Sequence, residues 1–301
     1  MAISIKLGDF TSAFCCHSKG AGATRSKALT TFRALQAHAD KAGWNSVTPL
    51  NITPKQMHGY VDARIAAGIS ARSIQNEVSH IRRCVEGAAR DIGDIRDKTN
   101  NWSCARLGVP SGSRIGGKPA MDMVKFDAAR EKLDPSMRAV VDLQMECGLR
   151  MQEAIKSTNT FAWSIELEKA VQQGRSAFLV VTDDSGSKGG RPRHIFVPLE
   201  RVQSTLAAVT AVENIKTSDG YVIDRDNLKS ALRFYDNEMR RVGLTGDNSG
   251  HALRRTFTCR QYEYYLSTGL NEKQALSRLC SDLGHGDDRG RWVENNYLAS
   301  I

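Results

Sequence analysis

The sequence lacks long apolar runs, and no stretch approaches the roughly 18 consecutive apolar residues that a helix needs to cross a membrane. The first twenty residues also lack the basic, apolar and small-residue sections of a secretory signal. These two absences argue against membrane-spanning and secreted proteins, so we expect a cytoplasmic protein with no membrane partner. The content of 41% hydrophobic and 25% charged residues is typical of a globular protein.

The cysteines are scattered and show no pairing pattern. The seven cysteines are an odd number without Cys-x-x-Cys spacing, which argues against a disulfide framework and favours reduced thiols. Cys15, Cys16 and His17 are consecutive, but adjacent cysteines seldom bind one ion well and no second pair of ligands follows. The sequence therefore predicts no metal site.

Positive charge is concentrated in the first third of the chain. Residues 1–110 contain 15 Lys and Arg against 8 Asp and Glu, whereas residues 111–301 contain 27 against 25. The first segment therefore carries +7 of the net +9. A basic segment beside a near-neutral one indicates a polyanionic partner, of which DNA is the natural candidate. Charge alone does not distinguish DNA from RNA, and a solubilising surface is the alternative.

The N-terminal third has the apolar spacing of helices. Four helices are predicted, over residues 24–41, 53–68, 70–89 and 94–107. They form the expected four-helix bundle of a first domain, residues 1–107. Residues 108–119 then contain four glycines, two prolines and two serines, which is typical of a linker.

A second domain, residues 120–301, is predicted to be mostly helical with a small sheet. Residues 177–181 and 194–197 are strand-like, and the Gly, Ser and Lys residues between them favour an antiparallel hairpin. The expected fold class is mainly α, with a helical bundle followed by an α+β domain that contains a small antiparallel sheet. Residues 164–175 form a polar, helix-like segment for which the sequence suggests no function.

Four short motifs follow one another in the C-terminal half. They are Gly-Leu-Arg-Met-Gln-Glu at 148–153, Ser-Lys-Gly-Gly at 187–190, His-Ala-Leu-Arg at 251–254, and Leu-Gly-His at 283–285 followed by Tyr297. Together they contain two arginines, a lysine, two histidines and a tyrosine. These side chains can cleave and rejoin a phosphodiester through a tyrosyl-phosphate intermediate without a metal.

The two arginines are the candidates for binding the scissile phosphate. Negative charge grows on the non-bridging oxygens during attack, and a guanidinium group is always charged and donates as a planar fork. We therefore assign this role to Arg150 and Arg254. Glu153 lies one helical turn after Arg150 and can hold it in place. Taken alone, the Arg-x-x-Glu spacing is more typical of an exposed salt bridge.

The histidines and the tyrosine complete this set of side chains. His251 and Arg254 share one helical face, and His251 follows a Ser-Gly pair at a predicted helix N-terminus, which favours anions. His285 can donate a hydrogen bond to the phosphate or orient the nucleophile. Tyr297 is the expected nucleophile, and its phenol needs a cationic pocket and a base to lose its proton near pH 7.

The order and content of these motifs resemble those of the tyrosine recombinases, which include phage integrases and Xer-type resolvases. The resemblance implies a general-acid role for Lys188 at the hairpin tip, a 3′-phosphotyrosyl intermediate and no cofactor. It also implies two domains that clamp double-stranded DNA at specific recombination sites, a homo-tetramer on DNA, and accessory DNA-bending proteins as further partners. Without the resemblance, Lys188 would be read as an ordinary turn lysine.

The spacing between the last two site residues departs from the family pattern. Tyr297 follows His285 by twelve residues, whereas most relatives have about nine. This spacing favours an integrase of a mobile element, and an Xer-type dimer resolvase is the alternative. A catalytically silent DNA-binding relative and a type IB topoisomerase are further alternatives.

Overall fold

The computed structural model of the chain describes residues 10, 12, 14, 22–44, 47–90, 102–110, 118–157, 159–182, 192–216, 220–286 and 289–298. The chain divides into two compact units, Met1–Ser113 and Arg114–Ile301. Each unit has its own cluster of buried apolar side chains. None of the helices within the described ranges is long and apolar enough to cross a membrane.

Three helices make up most of the first unit: α1 (Gly22–Lys41), α2 (Pro54–Ala66) and α3 (Ala71–Arg90). Thr53 caps α2, because its hydroxyl accepts from the Gln56 N–H and the Gln56 side chain accepts from the Thr53 N–H. Of the predicted fourth helix, residues 94–101 lie outside the described residues. Residues 104–108 form turns instead of a helix.

The second unit begins with four helices, a two-stranded sheet and two further helices. These are α4 (Met123–Arg130), α5 (Pro135–Cys147), α6 (Met151–Lys156), α7 (Thr160–Gln173), β1 (Ala177–Val181), β2 (Arg193–Val197), α8 (Leu199–Glu213) and α9 (Leu228–Arg241). The polar segment 164–175 falls almost entirely within α7, which packs against α8 and β1.

The two strands pair antiparallel, in a register that places Ala177 opposite Val197 and Val181 opposite Arg193. Alternate residues of each strand are buried, so one face of the hairpin joins the core. The mainly α fold with a small antiparallel sheet is therefore confirmed. Residues 183–191, which connect the strands, lie outside the described residues.

The last part of the unit contains α10 (Gly250–Ser267), α11 (Glu272–Leu283), α12 (Gly290–Val293) and a π-helical turn, Glu294–Leu298. Helix α10 is buried along most of its length and packs against α5 and α11. Helices α5 and α11, which precede the motifs of Arg150 and His285, both end in a left-handed glycine, Gly148 with φ 59° and Gly284 with φ 64°. Each glycine turns the chain sharply before a candidate site residue.

Gly148 is expected to tolerate alanine less well than Gly174. Both glycines end helices with φ 59°, but a Cβ on Gly148 would overlap the Phe257 ring, whereas a Cβ on Gly174 would meet nothing within 4 Å. Gly174→Ala should cost about 1–2 kcal/mol for the left-handed backbone. Gly148→Ala should cost about 1–3 kcal/mol more because the core is overpacked. Urea unfolding measures the loss of unfolding free energy in each variant. Equal losses would show that the Phe257 ring moves aside at no cost.

Candidate active site

The chain turns at the left-handed Gly148 between α5 and α6, and Arg150 follows that turn. Arg150 is the N-cap residue of α6, and its backbone N–H donates to Glu153 Oε2 at 2.8 Å. Its side-chain Nη1 donates to Glu153 Oε1, also at 2.8 Å. Glu153 therefore holds both the main chain and the guanidinium group of Arg150, the pairing expected from their spacing.

Glu153 has a second partner that the motifs do not predict. Arg193, the first residue of β2, donates from Nη1 to Glu153 Oε1 at 2.8 Å and from Nη2 to Glu153 Oε2 at 2.6 Å. Both side chains are almost fully buried. Arg193 occupies an inward position of the strand, on the same face as Ile195 and Val197. A charged residue at an inward strand position is the sequence signal for such a buried partner.

The charges around Glu153 determine its ionisation. Burial acts to raise the pKa of Glu153, but the hydrogen bonds and charge of Arg193, with the charges of Arg254 and Arg150, outweigh burial and lower the pKa to about 2. The carboxylate is thus ionised at neutral pH. It compensates part of the positive charge of the surrounding arginines.

Arg254 lies in the second turn of α10 and is almost completely buried. Its Nη1 donates to the Gly148 carbonyl and its Nη2 to the Leu283 carbonyl at 2.6 Å. The Leu283 carbonyl also lies 3.5 Å from Nη2 of Arg150, so the two arginines meet at one oxygen. Burial, with the charges of Arg150 and Arg193, lowers the pKa of Arg254 to about 10, which leaves it protonated at neutral pH.

His251 and His285 are the two histidines of the site. His251 lies in the first turn of α10, and His285 follows Gly284 with its N–H donating to the Cys280 carbonyl at 2.8 Å. Desolvation and the nearby charges of Arg254 and Arg150 lower the pKa of His251 to about 4 and that of His285 to about 3. Both rings are therefore neutral at pH 7. Nε2 of His285 is buried without a hydrogen-bond partner among the described residues.

Tyr297 is buried in the π-helical turn and faces both histidines. Its ring centroid lies 5.6 Å from that of His251 and 6.2 Å from that of His285. Trp292 contacts both rings, with its centroid 4.7 Å from that of His285 and 5.7 Å from that of Tyr297. The short helix α12 and the π-helical turn therefore accommodate the long spacing between His285 and Tyr297 and bring the phenol ring back to the histidines.

A cavity of about 370 Å³ opens at the N-terminal end of α10, where His251 lies. Arg150, His251 and Arg254 line it, together with Gln144, Leu149, Met151, Tyr235, Asp236, Ser249 and Gly250. Two of the lining side chains hold each other in place, because the Tyr235 hydroxyl donates to Gln144 Oε1 at 2.6 Å. A Cβ on Gly250 would overlap that hydroxyl, so the chain can approach Tyr235 only with glycine at this position. Two guanidinium groups and a neutral histidine beside one cavity suit an anion.

The structure thus brings together six of the predicted site residues: Arg150, Glu153, His251, Arg254, His285 and Tyr297. Lys188 lies outside the described residues. Arg255 follows Arg254 in the chain but does not join this group. Its side chain donates to the carbonyls of Pro119 and Asp247 at 2.7 and 2.8 Å. Among the described residues, no group of three or more His, Cys, Asp or Glu side chains is placed to hold a metal ion.

Comparison with known proteins assigns a family. The family model described as Integrase matches residues 108–260, and no curated protein matches the chain. The fold is similar to that of residues 82–397 of the Tn1549 transposon integrase in complex with circular intermediate DNA. The TM-score is 0.56 and the identity 12%, over 98% of this chain and 95% of that one.

Lambda integrase has the same fold in two solved structures. Residues 75–356, as a dimer bound to a COC′ core site, give a TM-score of 0.57 at 18% identity, over 94% of each chain. A lambda integrase tetramer bound to a Holliday junction gives a TM-score of 0.56 at 16% identity, over 94% of this chain and 76% of that one. At these identities the likeness establishes a common fold.

Glu153 should make stability depend on pH in the acid range. The pKa of Glu153 is 4.5 as the ordinary value, taken for the unfolded chain, and about 2 in the folded protein. The contribution of Glu153 to the free energy of unfolding is therefore complete above pH 5 and is lost as the pH falls from 4.5 towards 2. The advantage of the wild type over Glu153→Gln in unfolding free energy should shrink by about 2 kcal/mol between pH 6 and pH 3. Urea unfolding at each pH measures this difference. A constant difference would mean that Glu153 does not titrate in this range.

Proposed function

The chain belongs to the integrase family, and we propose that it is a site-specific DNA recombinase that cleaves and rejoins strands through a 3′-phosphotyrosyl bond to Tyr297. The observation that carries the proposal is the position of Tyr297, which lies close enough to Arg254 for their charges to interact. The Tyr297 ring faces His251, and the guanidinium groups of Arg150 and Arg254 meet at the Leu283 carbonyl. The resemblance to tyrosine recombinases agrees with this assignment.

In the first step the Tyr297 phenol oxygen attacks the scissile phosphorus. A phosphorus–oxygen bond to Tyr297 forms, and the bond to the 5′ oxygen breaks. Arg150 and Arg254 stabilise the charge that grows on the non-bridging oxygens. A neutral histidine, His251 or His285, accepts the phenol proton, and Lys188 donates a proton to the leaving 5′ oxygen.

In the second step the 5′ hydroxyl of a partner strand attacks the phosphorus of the phosphotyrosyl ester. A phosphorus–oxygen bond to that strand forms, and the bond to Tyr297 breaks. Lys188 takes the proton of the attacking hydroxyl, and the histidine returns its proton to the Tyr297 oxygen. The ester keeps the energy of the broken bond, so the reaction uses no cofactor and no metal. Exchange between two duplexes engages four active sites, which implies a homo-tetramer on DNA. The lambda integrase tetramer on a Holliday junction supports this arrangement.

The two domains have different tasks in this proposal. Residues 1–107, with most of the net positive charge, provide much of the grip on double-stranded DNA, while residues 120–301 hold the chemistry. The Tn1549 integrase acts for a transposon, and this supports integration or excision of a mobile element over dimer resolution. We place the reaction in the cytoplasm, with accessory DNA-bending proteins as further partners.

Tyr297→Phe should abolish covalent attachment to DNA while binding is kept, because the ring still packs but the nucleophilic oxygen is gone. A substrate nicked near the cleavage site traps the intermediate, and the covalent protein–DNA band is measured on a denaturing gel. Tyr264→Phe, on the same α10 as His251 and outside the site, is the matched control and should keep the band.

The same experiment separates the alternatives. Binding without a covalent band for the wild type on its cognate site would indicate a DNA-binding protein without catalysis. Relaxation of any supercoiled plasmid by a monomer would indicate a type IB topoisomerase. A band that persists in Tyr297→Phe would refute Tyr297 as the nucleophile.

Lys188→Ala should lose about 10²–10⁴-fold in cleavage rate if Lys188 is the general acid. A substrate with a bridging 5′ sulfur needs no such proton, because a thiolate is a good leaving group. Lys188→Ala should therefore recover on the sulfur substrate, whereas Arg150→Ala should not, since its defect lies in charge stabilisation. If Lys188→Ala is equally defective on both substrates, the acid is another residue, and His285 is the next candidate.

A further inference from the structure

Arg193 is a buried arginine for which the proposed chemistry has no task. Only 2% of its side chain is exposed, and it enters the core from the first position of β2. Burying a guanidinium group is costly unless it is paired and hydrogen-bonded. Its fork pairs with both oxygens of Glu153, which is the strongest geometry available to such a pair.

Glu153 transmits this contact to Arg150. Each carboxylate oxygen accepts one hydrogen bond from Arg193 and one from Arg150: Oε1 from the two guanidinium groups, and Oε2 from the Arg193 guanidinium and the Arg150 backbone N–H. A carboxylate held by Arg150 alone could rotate with it. Because Arg193 fixes the plane of the carboxylate, the direction of the Arg150 fork is fixed as well.

The aliphatic part of Arg193 is confined too. A Cβ on Gly284 would lie 2.8 Å from Cδ of Arg193, so the arginine stem packs directly on the turn between α11 and His285. Val181 of β1 pairs with Arg193 in the sheet register. Arg193 therefore has one available position, set by the strand on one side and by the glycine turn on the other.

We propose that Arg193 is a positioning residue for strand cleavage: it fixes Glu153, and through Glu153 it sets the Arg150 guanidinium for the scissile phosphate. The proposal rests on the proposed function, because it assigns Arg193 a task in that reaction. Arg193 itself touches no reacting atom.

The test compares Arg193→Gln with Arg130→Gln in the full-length protein. Arg130 makes a similar fork to Asp142, at 2.6 and 2.5 Å, between α4 and α5 and outside the cavity lining. Single-turnover cleavage at saturating nicked DNA should fall about 100-fold for Arg193→Gln, the usual effect of misplacing a catalytic group by about 1 Å. Its affinity for the DNA should stay within about twofold of wild type, since most contacts that give affinity are elsewhere. Arg130→Gln should change neither quantity.

A double-mutant cycle with Glu153→Gln tests whether Arg193 affects the cleavage rate through Glu153. If Arg193 acts through Glu153, the double variant should cleave about as slowly as the slower single variant, and the two losses should not multiply. Multiplied losses, or a wild-type cleavage rate for Arg193→Gln, would overturn the proposal. A loss of rate in Arg130→Gln as large as in Arg193→Gln would also overturn it, because the effect would then be one of general stability.

Arg193→Lys covers the case in which Arg193→Gln does not fold. Lysine keeps the charge but cannot occupy both carboxylate oxygens, so the rate should lie between those of wild type and Glu153→Gln, with DNA affinity unchanged. A wild-type rate for Arg193→Lys would overturn the positioning role. The outcome is separable from that of the proposed function, which is tested by the covalent band of the wild type and its loss in Tyr297→Phe, and neither measurement depends on Arg193.

Discussion

The rest of the site depends on one buried carboxylate, that of Glu153, which offsets the positive charge of the arginines around it. Arg150, Arg193 and Arg254 lie close enough for their charges to act on one another, and two of them are almost fully buried. Three guanidinium groups in that space would repel each other and would lose much of their hydration. Glu153, ionised and bonded to two of them, removes part of that cost. The remaining positive charge borders the cavity, where it suits a phosphate.

Helix ends supply the compensation that Glu153 does not. The Gly148 and Leu283 carbonyls that bind Arg254 lie at the C-terminal ends of α5 and α11. The C-terminus of a helix has a partial negative charge and leaves its last carbonyls without intrahelical partners. Because each helix ends in a left-handed glycine, its carbonyls turn towards Arg254 instead of continuing the helix. Gly148 and Gly284 therefore help to neutralise the charge of Arg254, because they end the helices whose carbonyls bind it.

The sequence predicts the features that depend on neighbouring residues, such as helices and the hairpin. It does not predict the contacts that depend on how distant segments pack. Apolar spacing, Thr53 and the hairpin residues predict helices and a sheet that the structure has, because those signals act within a few residues. Arg193 escapes because its role depends on which face of β2 meets α6, a long-range packing choice. The segment over 104–108 forms turns despite its predicted helix, since short helices depend on tertiary packing more than on propensity.

The two neutral histidines connect the electrostatics of the free protein with the arrival of its substrate. Desolvation, with the charges of nearby arginines, lowers the pKa of His251 to about 4 and that of His285 to about 3, so neither ring is charged at pH 7. A neutral ring can accept the phenol proton of Tyr297, which a charged ring could not do. A phosphate bound in the cavity would place negative charge beside His251, which lines it, and would raise the pKa of that ring. In the proposed reaction, the anion that is attacked would therefore make His251 a better base, and the arginines that help to keep this ring neutral beforehand would also bind the anion.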